Sequence, residues 1–386
     1  MTSSDPRPAP LQDLASRALG GSVMWASDEL FAPRENLINP APPAFDPATF
    51  SGKGKVYDGW ESRRRRTPGN DAAIIRLGAP GSITTVVVDT AYFAGNYPPE
   101  VSVEGLAAEG YPPAEELLGG PWQALVARSA VAGNAQTEFP VTDPHRYTHV
   151  RLSIYPDGGV ARLRVLGTVI PDPALLTGTV DLAAAENGGA VVDCSDAFYG
   201  SPARLLMPDR ARTMGEGWEN ARRRGGGNDH VTIALAGGGI PRRIELDTSY
   251  FVGNAPGEAM VSGVDARVAD PADPAAWFPL LPRRPLVPDT RHLLPLAGDR
   301  AVTHVRADVY PDGGMARLRV FGELDADGRA AVAVRWWNSL PEPALLACCA
   351  GRWDIAGGQA AGWAADRPVT DPGRLPPTVR AALLGY

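Results

Sequence analysis

Two stretches of this chain concentrate side chains able to grip an anion and move a proton. The first, DGWESRRRRTPGND, runs from Asp58 to Asp71 and offers Trp60, Glu61, Arg63, Arg64, Arg65, Arg66, Asn70 and Asp71. The second, EGWENARRRGGGND, runs from Glu216 to Asp229 and offers Trp218, Glu219, Arg222, Arg223, Arg224, Asn228 and Asp229. Guanidinium forks match carboxylates in bidentate geometry, and a carboxyl group among them can donate or take up a proton. An arginine run by itself reads equally as a solvated or internally paired surface. Tryptophan and glutamate beside it, with Gly-Asn-Asp closing it, favour a polar pocket wall.

The elements behind these stretches occur twice. Asp58 to Pro98 matches Glu216 to Pro256 at a constant offset of 158 residues, so that VDTAYFAGNYP answers LDTSYFVGNAP. Upstream, GGSVMWASDELF (20–31) matches GGAVVDCSDAFY (188–199) at offset 168. Downstream, THVRLSIYPDGGVARLRVLG (148–167) matches THVRADVYPDGGMARLRVFG (303–322) at offset 155. Order is kept and offsets shift only in loops, which is a duplicated domain rather than a solenoid. The repeats span about 14–170 and 182–324, and a segment of unknown role, 325–386, belongs to neither.

Alternation along Val86–Asp89 and Ile244–Asp247, with turn signals every ~8–12 residues, predicts all-β architecture. The expectation is two tandem antiparallel jelly-roll β-sandwiches, each strand with one buried face. A short helix is expected near 122–128, a glycine turn at 237–239, and helices in the last 60 residues. The turn at Tyr155-Pro156-Asp157-Gly158-Gly159 predicts a hairpin pairing Ile154 with Ala161, Leu152 with Leu163 and Val150 with Val165. That register would oppose Arg151 and Arg164 on the other face beside His149. The second copy would do the same with Arg306, Arg319 and His304. Opposed arginines need an acid between them, supplied either by Glu61, Asp71 or Asp89 of the same domain or by a bound carboxylate.

Of five histidines only His149 and His304 occupy equivalent positions. A strand histidine is commonly structural, yet one beside arginines could do acid–base work near neutral pH.

Composition narrows the partners. Basic residues number 37 against 44 acidic, a net charge of −7, which argues against bulk binding to nucleic acid or an anionic membrane. Only Lys53 and Lys55 are lysines, so 35 of the 37 basic residues are arginine. Three cysteines, Cys194, Cys348 and Cys349, have no metal-ligand spacing, and no apolar leader or membrane-length run is seen. A cytoplasmic protein is expected. Zinc, phosphate-loop, dinucleotide and nucleophile-elbow motifs are absent, so no cofactor is evident; a divalent metal held by residues assembled in space stays open.

DGWESRRRR…GND…VDTAYFAGNYP, its second copy, and THVRLSIYPDGG…ARLRVLG together resemble the allantoicase family, across both repeats and in the family's order. The resemblance implies paired galactose-binding-like jelly rolls, a homo-oligomer, and hydrolysis of allantoate to (S)-ureidoglycolate and urea. On that basis His149 with Glu61 or Asp71, and His304 with Glu219 or Asp229, are expected to move protons. Trp60, Arg63, Arg64, Arg65, Asn70, Arg151 and Arg164 are expected to hold substrate. Their counterparts are Trp218, Arg222, Arg223, Arg224, Asn228, Arg306 and Arg319. The alternatives are a non-catalytic β-sandwich binding a small anion or carbohydrate, and a metal-dependent amidohydrolase releasing ammonia. WWNSLPEPALLACCAGRW (336–353) followed by Arg367-Pro368 faintly resembles the opening helices of ureidoimidazoline decarboxylase, without that family's His-Pro motif.

Overall fold

A computed structural model describes residues 11–384. The chain forms two compact units. One comprises 11–170 with 336–369; among the described residues the other comprises 171–335 with 370–384.

Each unit is organised by one 19-residue strand, Asp71–Asp89 in the first and Asp229–Asp247 in the second. In the first unit its leading half lies between Ser22–Ala26 and Arg146–Tyr155, with Glu100–Leu106 and Gln123–Ala130 beyond. Its trailing half lies between Arg162–Val169 and Gln136–Pro140. Pairing with Arg146–Tyr155 jumps from His149 opposite Arg76 to Tyr147 opposite Gly81, so the strand departs from regular pairing around Gly78, Pro80 and Gly81 and has different neighbours along its two halves. Val150, Leu152 and Ile154 alternate with the polar positions of their strand and are fully buried, as are Leu163, Val165, Val86 and Val88. These side chains supply the apolar core of the sandwich. The second unit repeats the arrangement with Val302–Tyr310 and Arg317–Leu324 on its long strand.

The two jelly-roll sandwiches agree with the sequence reading; several local expectations do not. Arg146–Tyr155 and Arg162–Val169 do not form a hairpin. After the turn, Gly159–Val160 pairs with Trp60–Glu61, and both longer strands pair with opposite halves of the 19-residue strand. Arg151 therefore lies opposite Ile74, and Arg164 opposite Val87. The two arginines do not face each other, and neither do Arg306 and Arg319, opposite Thr232 and Glu245. At Val86–Asp89 the long strand is buried on both faces where one was expected: Val87 and Asp89 are buried along with Val86 and Val88. Residues 123–130 are a strand, and the short helix sits earlier, at Ala114–Leu118. Gly237–Gly239 lies inside Asp229–Asp247, not in a turn.

The tail is helical, at Ala326–Ser339, Glu342–Trp353, Gly357–Ala365 and Pro377–Leu384. Trp336, Trp337, Leu345 and Cys349 are fully buried. Within the first unit, Pro341, Glu342, Ala344 and Arg367 close a cavity of about 390 Å³ against Leu106, Gln123, His145 and Tyr147. None of the three cysteines forms a disulfide. No helix among the described residues is long and apolar enough to cross a membrane.

Candidate active site

At one end of the first sandwich, four loops meet around the turn after Tyr155. The two-residue strand Trp60–Glu61 is anchored by the Trp60 indole, fully buried, whose Nε1 donates to the Asp28 carbonyl at 2.7 Å. Gly159 lies opposite Glu61, and its neighbour Gly158 accepts from the Ser62 amide. A methyl group on Gly159 would sit 2.1 Å from the Phe93 ring, so only glycine lets the turn close on the loop carrying Asn96.

The carboxylates and arginines interlock. Asp71 Oδ1 accepts from the Arg65 guanidinium at 2.7 Å and from Ser27 Oγ at 2.9 Å, while the Arg65 amide donates to Asp157 at 2.8 Å. Arg63 Nε donates to Asp28 at 2.6 Å yet remains largely exposed. Glu61 is half-buried and its Oε1 accepts from Asn96 Nδ2 at 2.6 Å. Burial pushes the Glu61 carboxyl above the usual range, and the Asn96 hydrogen bond opposes that rise in part. Asp71 Oδ2 and Arg65 Nε are buried without a hydrogen-bond partner. Arg64 and Arg66 are exposed and make no ion pair among the described residues. Asn70 donates to the Asp71 carbonyl and shapes the loop.

The second unit copies the frame. Trp218 donates to the Asp196 carbonyl, Asp229 joins Arg223 and Ser195, Arg223 N donates to Asp312, and Asn254 Nδ2 donates to Glu219 Oε1 at 2.5 Å. Asn228 also reaches Asp308, which accepts from Arg306. Arg222 and Arg224 are exposed without an ion pair among the described residues. Ala221 occupies the place of Arg63. Gly227, Asn228, Glu258, Arg283 and Tyr310 border an open hollow of about 490 Å³.

Both histidines lie elsewhere. His149 faces Arg76 while Asp71 faces Ile154, five residues further along the pair, or about 17 Å at ~3.4 Å per residue. His149 is fully enclosed, its Nδ1 shares a hydrogen bond with Thr148 Oγ1 at 2.8 Å, and Nε2 has no partner. Burial first, and the Arg76 charge second, hold it neutral down to about pH 4. His304 pairs with Thr303 in the same way, sits opposite Ala234 rather than Asp229, and is lowered by burial. The expected pairing of either histidine with a site carboxylate is thus corrected: the strand that carries it runs away from the acidic end.

Arg151, Arg164 and Arg319 are likewise engaged away from the cluster. Arg151 donates to Glu104 at 2.7 Å and stacks on Trp122. Arg164 pairs with Asp13 at 3.3 Å, and Arg319 with Asp181 at 3.2 Å, each also reaching loop carbonyls. Internal acids do supply their partners, but from Glu104, Asp13 and Asp181; of the three acids expected in the first repeat, Asp71 serves, for Arg65. Sequence reasoning missed Ser27, Asp28, Asn96 and Asp157. Their signal was available, since each falls inside a duplicated motif.

No group of three His, Cys, Asp or Glu side chains that could hold a metal exists among the described residues.

The fold and this polar end define a duplicated jelly-roll protein with a carboxylate–guanidinium cluster at the corresponding end of each sandwich. Residues 12–170 and 180–325 each match the family model for the allantoicase repeat. A probable allantoicase of Nocardia farcinica is 57% identical over 318 residues, covering 81% of this chain and 94% of its own. An allantoicase of Dictyostelium discoideum is 40% identical, covering 80% and 86%. The crystal structure of Saccharomyces cerevisiae allantoicase superposes with a TM-score of 0.70 at 34% identity, covering 82% of this chain and 94% of that one. The chain belongs to the allantoicase family.

Proposed function

We propose that allantoate is bound and cleaved at the Glu61 end of the first sandwich. The chain is an allantoicase, a hydrolase of purine and allantoin catabolism that converts allantoate to ureidoglycolate and urea. Allantoate carries one carboxylate and two ureido groups on a single carbon. Arg64 and Arg66, free of internal acids, and the exposed outer edge of Arg63 meet the carboxylate. Arg65 is held by Asp71 and Asp157 and stiffens the loop that presents them.

Urea leaves poorly unless its nitrogen is protonated as the C–N bond breaks. Glu61 delivers that proton, and the bonding electron pair departs with the urea nitrogen. The lone pair of the remaining ureido nitrogen supports the electron-poor carbon. Water then adds to that carbon, and its proton returns to the Glu61 carboxylate. One group therefore serves as acid and then base. The observation carrying this reading is the half-buried Glu61, raised by its surroundings and fixed by Asn96 beside the arginine segment.

Arg63 has no counterpart in the second repeat, where Ala221 stands, which favours the first repeat as the working one. The test is urea release by Glu61→Gln and Glu219→Gln. The first should lose about 10²–10⁴-fold in kcat and the second little. Wild-type turnover by Glu61→Gln would overturn the reading.

The exposed Phe198, Tyr199 and Val252 support self-association into a homo-oligomer, which sedimentation velocity checks. Three cysteines without a disulfide support a cytoplasmic location, checked by cell fractionation.

A further inference from the structure

We propose that Asn96 is a positioning residue that decides which oxygen of Glu61 delivers the proton. This rests on Glu61 as the proton donor. An amide N–H can only donate, so Oε1, held at 2.6 Å by Asn96 Nδ2, is committed as an acceptor. When Glu61 is neutral its proton is then on Oε2.

Asn96 is itself held tightly. Its carbonyl accepts from the Gly159 amide at 2.7 Å, and Gly159 lies opposite Glu61, so acid and amide hang on one turn. The loop leading to it starts at Thr90, whose hydroxyl reaches the Ala132 carbonyl at 2.6 Å, and passes through the buried Phe93 ring. Between them Tyr92 takes φ 69°, a left-handed backbone that bulky side chains rarely adopt, with its amide tied to Asn134 Oδ1 at 2.8 Å. The second unit keeps each feature: Tyr250 at φ 70°, Asp289 on its amide, and Asn254 accepting from Gly314 and donating to Glu219. Twice, a strained loop ends in an asparagine placed against the same carboxyl oxygen.

The test measures kcat, KM and the pH profile for Asn96→Ala and the isosteric Asn96→Asp, each checked for folding by circular dichroism. Asn96→Ala should lower kcat about tenfold or more while KM stays within about threefold. The lost N–H no longer stabilises the carboxylate, so the basic limb of the kcat profile should move to higher pH. Asn96→Asp, placing a second carboxyl there, should move it further. In a Glu61→Gln background, Asn96→Ala should cost nothing more. A folded variant with an unmoved basic limb, or an undiminished loss in the Glu61→Gln background, overturns the positioning role and leaves Glu61 as donor. Full activity of Glu61→Gln instead removes the donor itself, and the proposal with it. If Asn96→Ala does not fold, the basic limb of Asn96→Asp decides the matter.

Discussion

His149 gives the sharpest separation of stability from chemistry. Its ring is enclosed, Nε2 has no partner, and its pKa falls from 6.5 to about 4 through burial and then Arg76. The group is neutral in the folded chain, whereas the unfolded chain protonates it below pH 6.5. Its contribution to stability is complete above pH 6.5 and is lost as pH falls toward about 4. Between pH 7 and pH 4.5 the loss amounts to about 2 kcal/mol at ~1.4 kcal/mol per pKa unit. His149→Phe fills a similar volume and removes the titration. Urea denaturation of both proteins at the two pH values isolates the effect, because the other ionisable groups cancel in the difference. Wild type should lose about 2 kcal/mol relative to the variant on acidification, and the variant should release urea from allantoate at nearly the wild-type rate. An equal acid response in both proteins would refute the burial argument. A large loss of kcat in a stably folded variant would refute the placement of His149 outside the chemistry.

Arg151→Leu breaks a partly buried ion pair with Glu104 that involves neither Glu61 nor its partners. Its kcat and KM should be unchanged and its stability altered by no more than about 1 kcal/mol, read by denaturant titration. Trp337→Ala empties a fully buried site in the tail. It should cost about 3–5 kcal/mol in unfolding experiments while leaving KM for allantoate unchanged in the protein that remains folded.

The duplication made the architecture legible, because a motif seen twice in one order shows which residues belong together. Glu61, Arg63 to Arg66 and Asp71 were visible as one constellation for the same reason. Strand partnership was not visible. Val150, Leu152 and Ile154 form a sensible apolar row with Ala161, Leu163 and Val165, yet they pair instead with the long strand. Alternation specifies which face is buried, not which neighbour buries it. That single ambiguity carried His149 and Arg151 toward the site on paper. Asn96 was overlooked because its importance lies in a contact 35 residues back along the chain.

The compact unit containing the first repeat is completed by residues 336–369. During synthesis the ribosome has therefore translated the entire second repeat before it supplies the helices that finish the first. A fragment ending at residue 170 is an unfinished body, with Leu106 and Tyr147 stripped of the prolines and Arg367 that face them across the cavity. Genetic dissection of this chain into halves should thus cut with the tail in mind, supplying 336–369 as a separate peptide or fusing it to the first repeat.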